Sequence, residues 1–345
     1  MDRAALTKQL FPEGIDELWC PLLTHYIQRH GRVAVDRRRM AAQMRTLAPY
    51  VHQFLLAGST GDGWDLDDRQ FEELLAFAMR DAYWGPDARF LVGALGRSTQ
   101  QVIRRGQMIL DRLNGHAQAG FVGIAVCPPV RSFASQEDIY DHYAEVSDVL
   151  GVPIAMYQLP QVTGCRIEPE TFRRLAASRP NVYLLKDSSG DDELARTNPR
   201  PPDVVFVRGA ENRYAESLKC GGGLYDGLLL STANAFSYSL RNIVDTVKAG
   251  ELTLARRRSA QLAAMIARLF EIAAVCPSGN AYSNVSRAVD HLLAHGPYWS
   301  RVEPPMLFDG SRLPPRVLAD VVAVYGEAEG IPEHGYFLHR YIGLE

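Results

Sequence analysis

The 345-residue sequence lacks several features, and each absence excludes a class of protein. No apolar run approaches the roughly 20 residues that span a bilayer, and the first residues, MDRAALTKQLFPEG, have neither an apolar core nor a small-residue cleavage site. The 37 basic and 40 acidic side chains leave a formal charge of −3, so there is no surplus of positive charge to bind nucleic acid. We therefore expect a cytoplasmic protein without a membrane or nucleic-acid partner.

Signals for metals and nucleotide cofactors are also scarce. The five cysteines are scattered and form no CxxC pair, which is typical of reduced thiols and argues against structural zinc. No P-loop, GxGxxG or GxSxG motif occurs. His291 and His295 are spaced to hold a metal on a predicted helix, but no glutamate accompanies them, so we interpret them as a partly exposed helical pair. The sequence predicts neither a metal nor a cofactor.

Lysine is the scarcest of the basic residues. Only four of the 37 basic side chains are lysines, namely Lys8, Lys186, Lys219 and Lys248, and the other 33 are arginines. Arginine stays protonated at any working pH, whereas a desolvated lysine can lose its proton and react as an amine. The position of each lysine therefore indicates whether it could serve as a reactive amine.

Eight short apolar runs recur along the first two-thirds of the chain. Nearly every residue in them is apolar, which is typical of strands buried on both faces. Polar stretches with helical patterning lie between them, for example at 36–50, 67–83, 99–113 and 135–150. This alternation predicts a parallel (β/α)₈ barrel. The runs are at 18–23, 53–58, 90–95, 121–126, 153–158, 182–187, 203–208 and 227–232.

The pattern becomes predominantly helical after the eighth run. Helices are predicted at 252–275, at 284–296 and near 315–328, with proline-rich loops around the last one. We therefore divide the chain into a catalytic barrel, residues 14–250, and a C-terminal helical region with a proline-rich tail, residues 251–345.

Barrel enzymes carry their sites at the C-terminal ends of the strands, and Lys186 closes the sixth run. Burial lowers the pKa of a lysine and makes it a neutral nucleophile that can attack a ketone. Tyr157 closes the preceding run, and neighbouring strands lie about 4.8 Å apart, so its phenol can serve the proton transfers of imine chemistry. The alternatives are a strand-end lysine paired with a carboxylate and an ordinary tyrosine at a barrel rim.

A second candidate lies where the second run ends, in Gly58-Ser59-Thr60-Gly61. Backbone N–H groups and the hydroxyls of Ser59 and Thr60 can converge there on an anion such as the carboxylate of a 2-oxo acid. The alternative is a tight turn with capping hydroxyls. Other polar or glycine positions that follow strand ends are Ser188, Gly209, Glu211 and Ser231.

Five segments occur along the chain in a fixed order: GSTGDGWDL, YQLPQVTG, LLKDSSGD, RGAEN and GLLLSTAN. With these segments the sequence resembles, from about Trp19 to about Gly296, the dihydrodipicolinate synthase and N-acetylneuraminate lyase family of class I, lysine-dependent aldolases. The resemblance implies that Lys186 forms the Schiff base, that Tyr157 shuttles protons, and that Ser59 and Thr60 bind the carboxylate. It also implies a homotetramer.

Some residues depart from the family pattern, and they limit which members of the family the chain resembles in detail. Where dihydrodipicolinate synthases carry a tyrosine pair, this chain has Cys127-Pro128-Pro129-Val130, so their proton relay cannot form. Val162 stands where they carry an arginine, which argues against a substrate with a second carboxylate there. Ser188 and Glu211 resemble positions that sialic-acid lyases use towards polyols, but Asn212 replaces their second acid.

These residues predict a carbon–carbon lyase that reversibly cleaves a 2-oxo acid to pyruvate and an aldehyde. Lys186 and Tyr157 are its predicted catalytic residues. The predicted substrate-binding residues are Ser59, Thr60, Ser188, Gly209, Glu211 and Ser231. Two alternatives remain open: a Schiff-base dehydratase or hydratase-aldolase of a 2-oxo acid, and a paralogue that binds a keto acid without turnover.

Overall fold

The computed structural model describes residues 2–79, 85, 87–113 and 120–337. Within these residues, eight parallel strands close into a barrel, in the order β1-β10-β9-β8-β7-β6-β5-β4. Each of the eight apolar runs overlaps one barrel strand, so the predicted (β/α)₈ barrel is confirmed. The barrel strands are β1 (Leu18–Pro21), β4 (Gln53–Leu56), β5 (Arg89–Gly93), β6 (Phe121–Val126), β7 (Ile154–Gln158), β8 (Val182–Asp187), β9 (Val205–Arg208) and β10 (Gly227–Leu229).

Helices follow the strands and surround the barrel. Capping boxes start two of them, with Asp67 and Gln70 at α3 and with Ser135 and Asp138 at α5. The helix predicted at 67–83 ends within the described residues at Ala78, and its positions from 80 to 83 lie outside them. The helices are α1 (Arg3–Leu10), α2 (Arg37–Leu47), α3 (Asp68–Ala78), α4 (Thr99–Leu113), α5 (Gln136–Leu150), α6 (Pro160–Thr163), α7 (Pro169–Ser178), α8 (Tyr214–Ser217), α9 (Ala233–Lys248), α10 (Leu252–Ala273), α11 (Ala281–His295) and α12 (Pro315–Glu329).

The two strands of a hairpin, the N-terminal helix and the short helices α6 and α8 were not predicted. A hairpin of β2 (Tyr26–Arg29) and β3 (Arg32–Val35) leaves the barrel after β1, and its partly exposed strands lack the continuous apolar signal of the barrel strands. Helix α1 closes the N-terminal end of the barrel, where the Arg3 guanidinium donates to the carbonyl oxygens of Val182 and Pro202 at 2.7 and 2.8 Å.

The C-terminal helices α10, α11 and α12 pack on the same core as the barrel helices. Because these helices share one hydrophobic core with the barrel, the predicted division of the chain after residue 250 stays a prediction. None of the helices in the described part of the chain is long and apolar enough to cross a membrane.

The register between β7 and β8 determines the site. Tyr157 is paired with Lys186 and Gln158 with Asp187, so the last residues of both strands lie side by side at the C-terminal end of the barrel. Continuous burial of these strands explains why their sequence is apolar up to the polar residues that close them.

Candidate active site

A cavity of about 410 Å³ opens at the C-terminal ends of the barrel strands. Every residue that the sequence predicted for the site lines this cavity: Ser59, Thr60, Tyr157, Lys186, Ser188, Gly209, Glu211 and Ser231. The barrel therefore brings together side chains that are separated by up to 172 residues in the sequence, since 231 − 59 = 172. Their individual roles remain predictions.

Lys186 lies at the base of the cavity, on β8, with 3% of its surface exposed. Burial lowers the pKa of its amine from the ordinary value to about 7, although the nearby Cys127, Glu211 and Cys20 act in the opposite direction. Within the described chain no hydrogen bond or ion pair engages its Nζ atom, whereas the exposed Lys219 and Lys248 pair with carboxylates. The alternative of a strand-end lysine with a carboxylate partner therefore has no support among these contacts.

The phenol ring of Tyr157 lies next to this amine. Lys186 Nζ stands 4.0 Å from the centroid of the ring, close enough for a cation–π contact when the amine is protonated. Burial raises the pKa of the Tyr157 phenol above its ordinary value, and the Ser188 side chain partly offsets this effect. A phenol that stays protonated can donate a proton to a developing alkoxide or accept a hydrogen bond from a substrate hydroxyl.

The turn that contains Ser59 and Thr60 faces the amine across the cavity. Among the hydrogen bonds of the described residues, none uses the backbone N–H or the hydroxyl of either residue as a donor. The carbonyl oxygens of the same two residues accept hydrogen bonds from the N-terminal end of α11. Asn280 Nδ2 donates to the Ser59 carbonyl oxygen at 3.2 Å, and Ser283 Oγ donates to the Thr60 carbonyl oxygen at 2.9 Å. Because C=O and N–H point in opposite directions across a planar trans peptide, fixing the Ser59 carbonyl fixes the direction of the Thr60 N–H.

A buried ion pair supports the same turn. Asp62, which follows the turn, accepts a hydrogen bond from Arg287 on α11 and another, at 2.8 Å, from Tyr26 Oη. Both charged side chains are about 1% exposed. Burial raises the pKa of Asp62, and the Arg287 guanidinium opposes that shift. Sequence reasoning missed Arg287 because nothing in the pattern of α11 indicated that it would face the barrel.

Gly209 leaves space for two neighbouring side chains of the cavity. A Cβ atom built there would lie 1.9 Å from Ser188 Oγ and 3.1 Å from Lys186 Cε. The absence of a side chain at the end of β9 therefore makes room for the amine and for the hydroxyl beside it.

Glu211 is held by an array of donors. Its Oε1 accepts from Ser231 Oγ at 2.5 Å and from the backbone N–H of Thr232 at 3.1 Å. Its Oε2 accepts from Thr232 Oγ1 at 2.6 Å and from Tyr214 Oη at 3.4 Å. Burial raises the pKa of Glu211, and these hydrogen bonds act in the opposite direction. The carboxylate thus has partners for all of the roughly four lone-pair positions it offers.

The C-terminal region contributes a wall of the cavity that sequence reasoning missed. Ala267 and Phe270 come from α10, Asn280 caps α11, and Tyr282 lies in its first turn. The rings of Phe270 and Tyr282 are edge to face, with centroids 4.6 Å apart. The helical pattern showed that these helices exist but gave no sign of which of their residues would reach the strand ends.

Of the two histidines predicted as a partly exposed pair on α11, His295 is partly exposed as predicted and His291 is not. His291 is 3% exposed, because the turn after α11 folds back over it and brings the Trp299 carbonyl oxygen within 2.8 Å of its Nε2. The prediction that it is partly exposed was wrong. The part of the chain that the structure describes contains no cluster of three or more His, Cys, Asp or Glu side chains suited to a metal ion.

The fold and the cavity at its strand ends define a (β/α)₈ barrel protein, and comparison with known proteins identifies its family. The model of the dihydrodipicolinate synthetase family matches residues 30–289, and the chain belongs to this family. It is 29% identical over 206 residues to 4-hydroxy-tetrahydrodipicolinate synthase of Chlorobium phaeovibrioides, covering 59% of this chain and 65% of that protein. For the enzyme of the same name from Chlorobium luteolum the identity is 30% over 203 residues, with 58% and 64% covered. The matches thus span less than two-thirds of these relatives.

Solved structures share the fold over nearly the whole chain. YagE, a prophage protein of the dihydrodipicolinic acid synthase family from E. coli K12, was solved in complex with pyruvate; it superposes with a TM-score of 0.74 at 19% identity, covering 91% of this chain and 99% of that one. Dihydrodipicolinate synthase from Aquifex aeolicus gives a TM-score of 0.70 at 16% identity, with 91% and 98% covered. At these identities the likeness concerns the fold.

Proposed function

We propose that this protein is a class I aldolase that reversibly cleaves a 2-oxo acid to pyruvate and an aldehyde. The observation that carries the proposal is the placement of one buried amine, Lys186, whose pKa is lowered to about 7, in the same cavity as the unpaired donors of Ser59 and Thr60. Membership of the family and the likeness to a fold solved with pyruvate support it.

The reaction begins when the neutral amine of Lys186 attacks the ketone carbon of the substrate and water leaves. The protonated imine then accepts the electron pair of the C3–C4 bond, so the protein needs no other electron sink. Tyr157 gives its proton to the hydroxide that leaves as water when the imine forms, and it then takes a proton from the C4 hydroxyl, either directly or through the substrate carboxylate, as the aldehyde departs. Protonation of the enamine at C3 and hydrolysis of the imine release pyruvate and restore the amine.

The substrate carboxylate is proposed to bind at the turn of Ser59 and Thr60. Two hydroxyls and two backbone N–H groups without partners among the described contacts are suited to a carboxylate, and hydrogen bonds to an anion are stronger than those between neutral groups. Ser188, Gly209, Glu211 and Ser231 complete the proposed substrate-binding set around the amine.

Borohydride reduction in the presence of pyruvate tests the proposal. The expected result is a stable pyruvate adduct on the peptide that contains Lys186, detected by mass spectrometry, and its loss in Lys186→Ala. Lys8→Ala, which removes an exposed lysine of α1, is the control and is expected to keep the adduct. A native protein that gives no adduct would rule out the imine mechanism. Product analysis then separates an aldolase from a dehydratase, since a dehydratase releases no pyruvate.

We also propose, from the family resemblance, that the chain assembles as a homotetramer in the cytoplasm. Light scattering coupled to size-exclusion chromatography measures the assembly directly. A mass equal to one chain of 38.4 kDa would contradict it.

A further inference from the structure

One wall of the cavity is apolar and partly open to solvent. It consists of Val162, which follows β7, together with Ala267, Phe270 and Tyr282 of the C-terminal helices. Tyr282 is 48% exposed and Val162 is 42% exposed, although both line the cavity. We call Phe270 and Tyr282 the aromatic wall. Apolar surface that is exposed inside a concave site gains free energy when an apolar ligand covers it.

Charged groups suited to a second anion are missing from the described lining of the cavity. Lys186 is the one cation among the described lining residues, and the proposed imine consumes it. The turn of Ser59 and Thr60 is engaged by the carboxylate next to the ketone. An aldehyde half that carries its own carboxylate or phosphate would therefore lie against Val162 and the aromatic wall without a guanidinium or ammonium partner.

Glu211, the one carboxylate in the described lining of the cavity, already accepts hydrogen bonds from the protein and is not free to accept from a polyol. Both oxygens of Glu211 accept hydrogen bonds from Ser231, Thr232 and Tyr214. Ser231 also gives its hydroxyl proton to Glu211, so it presents only lone pairs to the cavity. A sugar-like aldehyde half would bring several hydroxyl donors and find the one carboxylate of the described lining saturated, so only neutral acceptors, which form weaker hydrogen bonds, would remain for them.

We propose that the aldehyde half of the substrate is an uncharged aromatic aldehyde whose ring packs against Phe270 and Tyr282. This inference rests on the proposed function and names its substrate class. A ring is a good match because aromatic pairs prefer edge-to-face or offset contacts such as the one that the two side chains already make with each other. Gln161 also lines the cavity, and its Nε2 donates to the carbonyl oxygens of Ser188 and Ser189, which leaves its Oε1 as a neutral acceptor.

The reaction with benzaldehyde balances without an oxidant or reductant. C3 of the pyruvate enamine on Lys186 attacks the aldehyde carbon, and the aldehyde oxygen takes a proton from Tyr157. Water then hydrolyses the imine, which frees the amine and the product 4-hydroxy-2-oxo-4-phenylbutanoate. The sum is one pyruvate and one benzaldehyde joined by a new carbon–carbon bond.

The test compares three aldehydes as acceptors with pyruvate: benzaldehyde, the carboxylate-bearing succinic semialdehyde, and the polyol erythrose. We expect kcat/KM for benzaldehyde to exceed that for each of the others at least tenfold. Phe270→Ala should reduce the benzaldehyde value at least tenfold, and by a larger factor than the values for succinic semialdehyde and erythrose. Tyr282→Phe, which keeps the ring, should stay within about threefold of the native value, since the proposal assigns the contact to the ring. Glu271→Ala, at an exposed neighbouring position of α10, is the matched control.

Each outcome distinguishes this inference from the function on which it rests. If pyruvate gives no adduct on Lys186, the proposed function fails and the inference fails with it. If the adduct forms but no benzaldehyde product appears, or if succinic semialdehyde or erythrose reacts as well as benzaldehyde, the inference alone is overturned. The inference would also be overturned if Phe270→Ala lowered kcat/KM equally for all three aldehydes. It would likewise be overturned if Tyr282→Phe, which keeps the ring, lowered kcat/KM for benzaldehyde as much as Tyr282→Ala, which removes the ring.

Discussion

The amine of Lys186 lies 4.0 Å above the centre of the Tyr157 ring, because β7 and β8 place the two residues directly opposite each other in register. The contact has two consequences. The ring helps to exclude water from the amine, which lowers its pKa, and the phenol oxygen is placed near the atoms that an imine would activate. Separate variants of Tyr157 can distinguish these effects.

The pH dependence of imine trapping should follow the Lys186 amine. Because its pKa is lowered to about 7, the rate of borohydride trapping with pyruvate should rise between about pH 6 and pH 8 and then level off. Tyr157→Ala admits water beside the amine, so its profile should move to higher pH. Tyr157→Phe keeps the ring, so it should leave the profile in place while lowering turnover about 100-fold or more. A native profile that rises only above about pH 9 would show that the amine is solvated.

Gly209→Ala should damage the site without disturbing the barrel elsewhere. The added methyl group would lie 1.9 Å from Ser188 Oγ, so this side chain or β9 must move, and such overpacking typically costs about 1–3 kcal/mol. We expect a matching loss in the free energy of unfolding and a strong loss of imine trapping. The double variant Gly209→Ala with Ser188→Ala removes the closest contact and should recover much of the stability. Equal stability of Gly209→Ala and the native chain in urea unfolding would contradict this.

The barrel and the ends of its strands could be predicted from the sequence because both signals are local. A strand buried on both faces is mostly apolar, and the polar residues at its end, such as Lys186, or just beyond it, such as Ser59, lie at the rim. Because the strands close into a barrel, these polar residues then come together at one end of it.

The contributions of α10 and α11 could not be predicted in the same way. Phe270, Tyr282 and Arg287 lie on helices whose apolar periodicity is satisfied by packing on the barrel, and periodicity does not say which turn of a helix passes over the cavity. The hydrogen-bonded state of Glu211 likewise depends on the distance between two loops, at the ends of β9 and β10. Only the three-dimensional structure supplies these relationships.

Ser283 of α11 should influence pyruvate binding although it does not line the cavity. Its hydroxyl donates to the Thr60 carbonyl oxygen at 2.9 Å and so helps to hold the anion-binding turn. Ser283→Ala removes a buried hydrogen bond worth about 0.5–1.5 kcal/mol, so we expect KM for the 2-oxo acid to rise about two- to tenfold with little change in kcat. Ser278→Ala is the control, because that hydroxyl bonds to Asp309 instead. A fall in kcat with KM unchanged would mean that the turn does not bind the carboxylate.

The buried pair of Asp62 and Arg287 should be far more costly to break than an exposed one. Both side chains are about 1% exposed, and Nε and Nη1 of Arg287 and Oδ1 of Asp62 have no partner among the described residues, so removal of one charge would leave the other buried and unpaired. Arg287→Met should therefore lower the free energy of unfolding by about 3–5 kcal/mol. Arg104→Met, which breaks the exposed pair with Asp68, should cost no more than about 1 kcal/mol.

The double variant Asp62→Asn with Arg287→Met decides whether the loss comes from the unpaired charge or from packing. Asparagine removes the charge, keeps an oxygen that accepts from Tyr26 Oη, and tolerates the left-handed backbone at position 62, where φ is 57°, so the double variant should recover a large part of the lost stability in urea unfolding. A double variant that is as unstable as Arg287→Met would show instead that the shapes of the two side chains, and not their charges, join α11 to the turn. Measuring KM for pyruvate on the same protein then shows whether the anion-binding turn depends on this attachment.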